Sequence, residues 1–182
     1  MSKRFKGKTC VYCARPNSSE ICDHVFAREF FTKDQRSNLP QVPACPKCNG
    51  KKGELEHYAT GVLPLLGRHA DAAANLSLLY PRLEKNAKLR RETEEKKEKV
   101  WVKQDGLFLP TMKIPFDSAK RRKLFRFIVK GLMWYHWEVL LMPEDFVDAK
   151  LLAKEEEDKL WTVFCMQTNK RVKESLGAGT VR

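Results

Sequence analysis

Four cysteines in two matched pairs are the residues best spaced for chemistry: Cys10 and Cys13 in "CVYC", Cys45 and Cys48 in "CPKC". Two residues between thiolates let both sulfurs reach one ion at about 2.3 Å, with amides of the turn pointing at the sulfurs. Two such pairs make a closed tetrahedral site, the usual arrangement of a structural Zn2+. A redox CxxC would need a thioredoxin-like βαβ context, and neither pair has one. Cys22 and Cys165 stand outside the pairs and read as ordinary buried thiols; Cys22 is near enough in sequence to compete for the ion.

Inside the loop between the pairs lies "ICDHVFAREFF". Asp23 and His24 interrupt an apolar run that reads as a strand, a place where charge needs a reason. A carboxylate is a hard oxygen ligand for a divalent ion. An imidazole with an ordinary pKa of about 6.5 can take a proton from water at neutral pH. Neighbours on a regular strand face opposite sides, so the two converge only at a bend or strand end. Asn49, directly after Cys48, offers a neutral amide oxygen at the start of a segment that can turn helical. The plainer alternative is a strand-end pair bonded to backbone, inside a zinc module that only binds nucleic acid.

Taken in order, "CVYC", "CDHVF" and "CPKCNGKKG" resemble the HNH, or ββα-metal, endonucleases in the form clamped by a four-cysteine zinc site. The likeness covers roughly residues 8–60. It implies His24 as the general base, and Asp23 with Asn49 holding one catalytic ion, Mg2+ or Mn2+. Asn38 in "RSNLPQVPAC" is the candidate for the middle motif residue that orients the base. Family members often carry another ligand one helical turn after the last motif residue. That position is Gly53 here, so the ion would keep several waters, which suits Mg2+. Glu54 and His57 are expected on an exposed helix face.

The chain has 182 residues and a formal net charge of +12. Residues 61–130 hold seventeen Lys/Arg against eight Asp/Glu, and residues 131–182 seven against nine, so the basic character belongs to the first two-thirds. A polyanionic partner fits this balance, and the resemblance implies that it is nucleic acid, DNA foremost. Lys51, Lys52 and the run Lys120, Arg121, Arg122 and Lys123 are candidates for backbone phosphate contacts, which position without reading sequence. The most apolar stretch, "LFRFIVKGLMWYHWEVLL", carries Arg126, Lys130, His136 and Glu138, which argues against a spanning helix. No signal-peptide run follows "MSKRFKGK". The expected compartment is the cytoplasm, where thiols stay reduced.

These residues must be positioned by two parts of an α+β chain: a zinc-clamped module over 1–60 and a mostly helical body with a hairpin over 61–182. Short helices are expected in 59–81 and a charged helix after Pro81. Val100 and Val102, then Asp105-Gly106, then Leu107 and Leu109, read as a hairpin. A long helix follows, capped by Asp117 or Ser118 and apolar nearly all round. The tail from "KLWTVF" reads as a strand and turn ending in "GAGTVR", so the chain is expected to be truncated or to leave its last strand unpaired. Mg2+ dependence separates the two functional readings: a nuclease needs the ion for turnover, and a zinc-finger adaptor does not.

Overall fold

The computed structural model describes residues 4–62, 81, 84, 87–95, 97–104, 106–113 and 117–147. Of the stretch 59–81 where short helices are expected, residues 59–62 end a helix and 63–80 lie outside these residues, as do the tail strand and Cys165. The described chain is mixed α and β, with two small antiparallel sheets of two strands each. It divides into two compact units: 1–53 with 122–182, and 54–121. The boundary expected at residue 60 therefore falls within a helix, and each unit is taken on its own.

In the first unit, β1 (Ile21–His24) pairs with β2 (Gln41–Ala44), in the register Ile21↔Ala44 through His24↔Gln41. Pro43 is tolerated in β2 because its missing donor faces away from β1: its carbonyl on that outer edge accepts from Val11 N–H at 3.0 Å. Cys22↔Pro43 and His24↔Gln41 are then the non-hydrogen-bonded pairs, whose side chains approach most closely. Two one-turn 3-10 helices, Arg28–Phe30 and Lys33–Gln35, fill the connection, and Gln35 reaches back to the Thr32 N–H. Val25, Phe31, Leu39, Val42 and Ala44 are buried and form the hairpin's core.

Helix α1 (Pro46–Val62) starts straight after β2, with proline at its first position, where no donor is needed. Downstream, in the second unit, come α2 (Ala87–Glu95), β3 (Glu98–Gln104) and β4 (Leu107–Lys113). β3 and β4 form the hairpin expected from the valine and leucine alternation, with Gly106 at φ +84° in its tight turn. Helix α3 (Ser118–Trp137) is capped by Asp117, whose Oδ1 accepts from the N–H groups of Ala119 and Lys120, both at 3.0 Å.

From Arg122 onward α3 belongs to the first unit. Leu124, Ile128 and Gly131 are buried, while Tyr135 is exposed. Phe127 packs edge-on to Tyr12 and Trp134 edge-on to Phe5, so these two aromatics are packing residues. The Lys130 ammonium is buried and donates to the carbonyls of Tyr12, Leu141 and Met142. Burial, with Arg126 adding to it, pushes this ammonium below its usual range. No described helix is long and apolar enough to cross a membrane.

Candidate metal centre and the Asp23–His24 site

The four paired cysteines meet. The sulfurs of Cys10, Cys13, Cys45 and Cys48 all lie within 4.8 Å of one another, and Cys13 Sγ is 4.0 Å from Cys45 Sγ. A tetrahedral ion with metal–sulfur bonds of about 2.3 Å puts its sulfurs roughly 3.8 Å apart, so the cluster fits one ion such as zinc. Cys10 and Cys13 sit on a turn closed by Ala14 N–H to Cys10 O at 2.9 Å, with Ala14 at φ 57°. Cys45 directly follows β2 and Cys48 lies in the first turn of α1. The Cys45 N–H donates to Cys10 Sγ at 3.3 Å, the amide-to-sulfur bond expected of such turns. Burial pushes the Cys10 and Cys48 thiols up. Four thiolates gathered here without a cation would repel one another, which is the chemical argument for an ion. Cys22 is elsewhere: its thiol donates to Gln41 Oε1 at 3.1 Å.

Asp23 and His24 point to opposite faces of β1. His24 and Cys22, two residues apart, both reach Gln41: His24 Nε2 lies 2.9 Å from Gln41 Nε2. Asp23 turns the other way, and its Oδ2 accepts from the Tyr12 hydroxyl at 2.6 Å and pairs with the Lys52 ammonium at 3.1 Å. That ammonium also donates to the His24 carbonyl at 2.7 Å. The Lys52 side chain is 1% exposed and that of Asp23 11%. Lys52 is thus not the surface phosphate contact its place after the second cysteine pair predicts. It is the buried counter-ion of Asp23, held between strand and helix.

Burial holds the His24 imidazole below its ordinary pKa; the Arg28 charge adds to this, and Asp23 works against it. This direction favours the uncharged ring, the form a proton acceptor needs. Exposed Arg28, in the 3-10 turn after β1, is therefore part of the electrostatic surroundings of His24.

The remaining expected residues do not join this group. Asn49 is half-buried in the first turn of α1, where its N–H bonds Cys45 O, and its side chain makes no hydrogen bond to Asp23 or His24. Asn38 is exposed in a left-handed turn at φ 58° and makes none to His24. The contact to the imidazole comes from Gln41, three residues later. Lys51, Arg122 and Lys123 are exposed, as are Glu54 and His57. In the second unit Lys120 stacks over the Tyr58 ring at 4.5 Å and faces Asp117, and Arg121 is half-buried. No protein-family model, curated protein or solved structure matches the chain.

An ion on Asp23 does not fit the carboxylate as folded. Its Oδ2 already carries an ammonium and a hydroxyl donor in a nearly closed setting, and Asn49 makes no contact that would complete a ligand pair.

Proposed function

We propose that residues 8–60 form a zinc-clamped nuclease module of the HNH type, hydrolysing phosphodiester bonds with His24 as general base and DNA as the favoured substrate. The observation that carries the reading is the His24 imidazole at the end of β1, 2.9 Å from the Gln41 amide, in a hairpin that the cysteine cluster ties to α1; burial lowers its pKa. A structural Zn2+ on the four cysteines supplies folding energy and no chemistry.

Catalysis asks the imidazole to take a proton from a water as its oxygen attacks phosphorus and the ester oxygen leaves. Only a ring nitrogen with a free lone pair can do so. As folded, Gln41 Nε2 faces His24 Nε2 while its Oε1 accepts from the Cys22 thiol; rotating the Gln41 amide gives up that thiol bond, lets the oxygen accept from Nε2–H and leaves Nδ1 as the basic nitrogen. Arg28 and Lys51 are exposed cations available to the phosphate, where negative charge grows. Mg2+ or Mn2+ would add charge of the same kind. No step is routed through an ion on Asp23, because Lys52 occupies that oxygen.

The buried Asp23–Lys52–Tyr12 group favours a second reading, in which it only braces the hairpin of a zinc-finger adaptor for nucleic acid. Plasmid nicking by the zinc-loaded chain, with and without added Mg2+ or Mn2+, tests the two. His24→Ala should lose roughly 10²–10⁴-fold in rate, the usual worth of a positioned base, with zinc content and circular dichroism unchanged. Nicking by His24→Ala at the wild-type rate overturns the nuclease reading and leaves the adaptor.

A further inference from the structure

The β3–β4 hairpin leaves large apolar side chains in water on both faces, and its two faces differ. The register pairs Trp101 with Pro110 and Lys103 with Phe108. With strand alternation, Lys99, Trp101, Lys103, Phe108 and Pro110 share one face, while Val100, Val102, Leu107 and Leu109 share the other. Trp101 is 68% exposed and Phe108 66%. Lys99 and Lys103 bracket Trp101 along its own strand, both exposed, and neither has an ion-pair partner among the described residues. Glu98, the acidic residue of β3, falls on the aliphatic face.

We propose that the aromatic face of this hairpin binds an unpaired nucleic-acid strand, with bases stacked on Trp101 and Phe108 and phosphates paired with Lys99 and Lys103. The two rings stand diagonally across the strands, about 7–8 Å apart at the backbone, a spacing that two neighbouring, spread bases can bridge. Stacking needs an accessible ring face and tolerates any base, while the flanking cations track the backbone. A hydrophobic protein partner would fit the aliphatic face equally well. The aromatic face carries Lys99 and Lys103 and no acidic residue, whereas on the aliphatic face Lys113 stands opposite Glu98, and this charge difference points to a polyanion with flat apolar groups. The inference rests on the nucleic-acid partner proposed above but not on hydrolysis, and it narrows that partner to single-stranded stretches.

The test uses the full chain carrying His24→Ala, so that cleavage cannot intervene. Fluorescence anisotropy measures its affinity for a labelled single-stranded DNA oligonucleotide and for the blunt duplex of the same sequence. Adding Trp101→Ala and Phe108→Ala together should weaken single-strand binding roughly tenfold or more and leave duplex binding within about twofold. Trp101→Phe, which keeps a ring, should retain most of the affinity. Lys99→Ala with Lys103→Ala should flatten the single-strand salt dependence, by about 0.7 in log–log slope for each lysine. Unchanged single-strand affinity in the double aromatic variant overturns the proposal, and so does an equal loss for both forms. Light scattering supplies the remaining outcome: if the aromatic changes dissolve a dimer while nucleic-acid affinity stays, the face is an interface between copies and the proposal is wrong. A chain that binds strands this way but never cleaves them would sink the nuclease reading alone.

Discussion

Replacing Lys52 with methionine keeps the length and apolar stem of the side chain and removes only its charged end. In the folded chain that end lies 3.1 Å from Asp23 Oδ2 and 2.7 Å from the His24 carbonyl. At an effective dielectric of 20, two unit charges at this separation attract by about 5 kcal/mol, before the cost of desolvating both. Removing one partner leaves Asp23, among the described residues, with the Tyr12 hydroxyl, and breaking a buried pair in this way typically costs about 3–5 kcal/mol. The slight exposure of the carboxylate places the expectation near the lower figure. Urea unfolding, followed by tryptophan fluorescence since Trp134 packs on Phe5 in the same unit, should show a midpoint lower by about 1–2 M. Asp23→Asn in the same chain removes the stranded charge while keeping an acceptor for Tyr12, and should recover at least half of the loss. A single variant within about 0.5 kcal/mol of wild type, the ordinary scatter of surface changes, would refute the reasoning. A double variant no more stable than the single one refutes it too. Magnesium adds a second readout. If the freed carboxylate turns to a divalent ion, millimolar Mg2+ should stabilise Lys52→Met and leave the wild type unmoved.

Two further expectations concern the metal centre and the base. Purified protein should carry about one zinc per chain, and Cys48→Ser should lose the metal and the fold of the first unit together, because metal binding energy is folding energy; a metal-free chain whose first unit still unfolds cooperatively contradicts this. For His24, whose folded pKa is depressed by burial and Arg28, kcat/KM should stay level as pH falls from neutral to about 6.5 and decline only below it. The unfolded chain takes this proton first, so the His24 contribution to stability also falls from about pH 6.5 downward and levels off below the folded pKa. An acid limb centred above pH 7 would remove His24 as the titrating base.

Local chemistry was legible in the sequence, and what depends on register and helix phase was less so. The cysteine spacing, the Asp117 cap and the β3–β4 turn are each set by residues within a few positions of one another, and all three stand in the structure. The pairing of His24 with Gln41 depends on the register of a hairpin whose connection spans residues 25–40. Nothing in that loop dictates which residue faces the imidazole, so Asn38, the nearer match to a motif, drew attention instead. Lys52 had a readable signal. Cys48 must face the metal from the first turn of α1, and a residue four positions later lies on the same helix face. A lysine there is directed inward, whatever the surface charge of its neighbours suggests.

The docking of α3 decides whether the cysteine and histidine residues can work apart from the rest of the chain. A cut after residue 60 would keep Cys10, Cys13, Asp23, His24, Asn38, Cys45, Cys48 and Asn49, all the candidate metal and motif residues. It would remove Phe127 from Tyr12, Trp134 from Phe5 and the Lys130 ammonium from the Tyr12 carbonyl beside the first cysteine pair. A module this small has little core of its own once those rings are bared, and the metal alone must then hold it. The fragment 1–60 is therefore expected to lose zinc to a chelator that the full chain resists, and to unfold without cooperativity. A point substitution in the full chain makes the same case without truncation. A Cβ at Gly131 would stand 2.8 Å from Val25 Cγ2, closer than real contacts allow, so α3 must shift outward to admit one. Gly131→Val should destabilise the first unit by about 1–3 kcal/mol and speed zinc loss, although residue 131 touches neither cysteine nor histidine. Should fragment 1–60 hold its zinc and melt as sharply as the whole chain, α3 is an accessory. Should both lose the metal, the cysteine-clustered module includes the helix that begins near residue 118, and a chain position far from any motif is part of its fold.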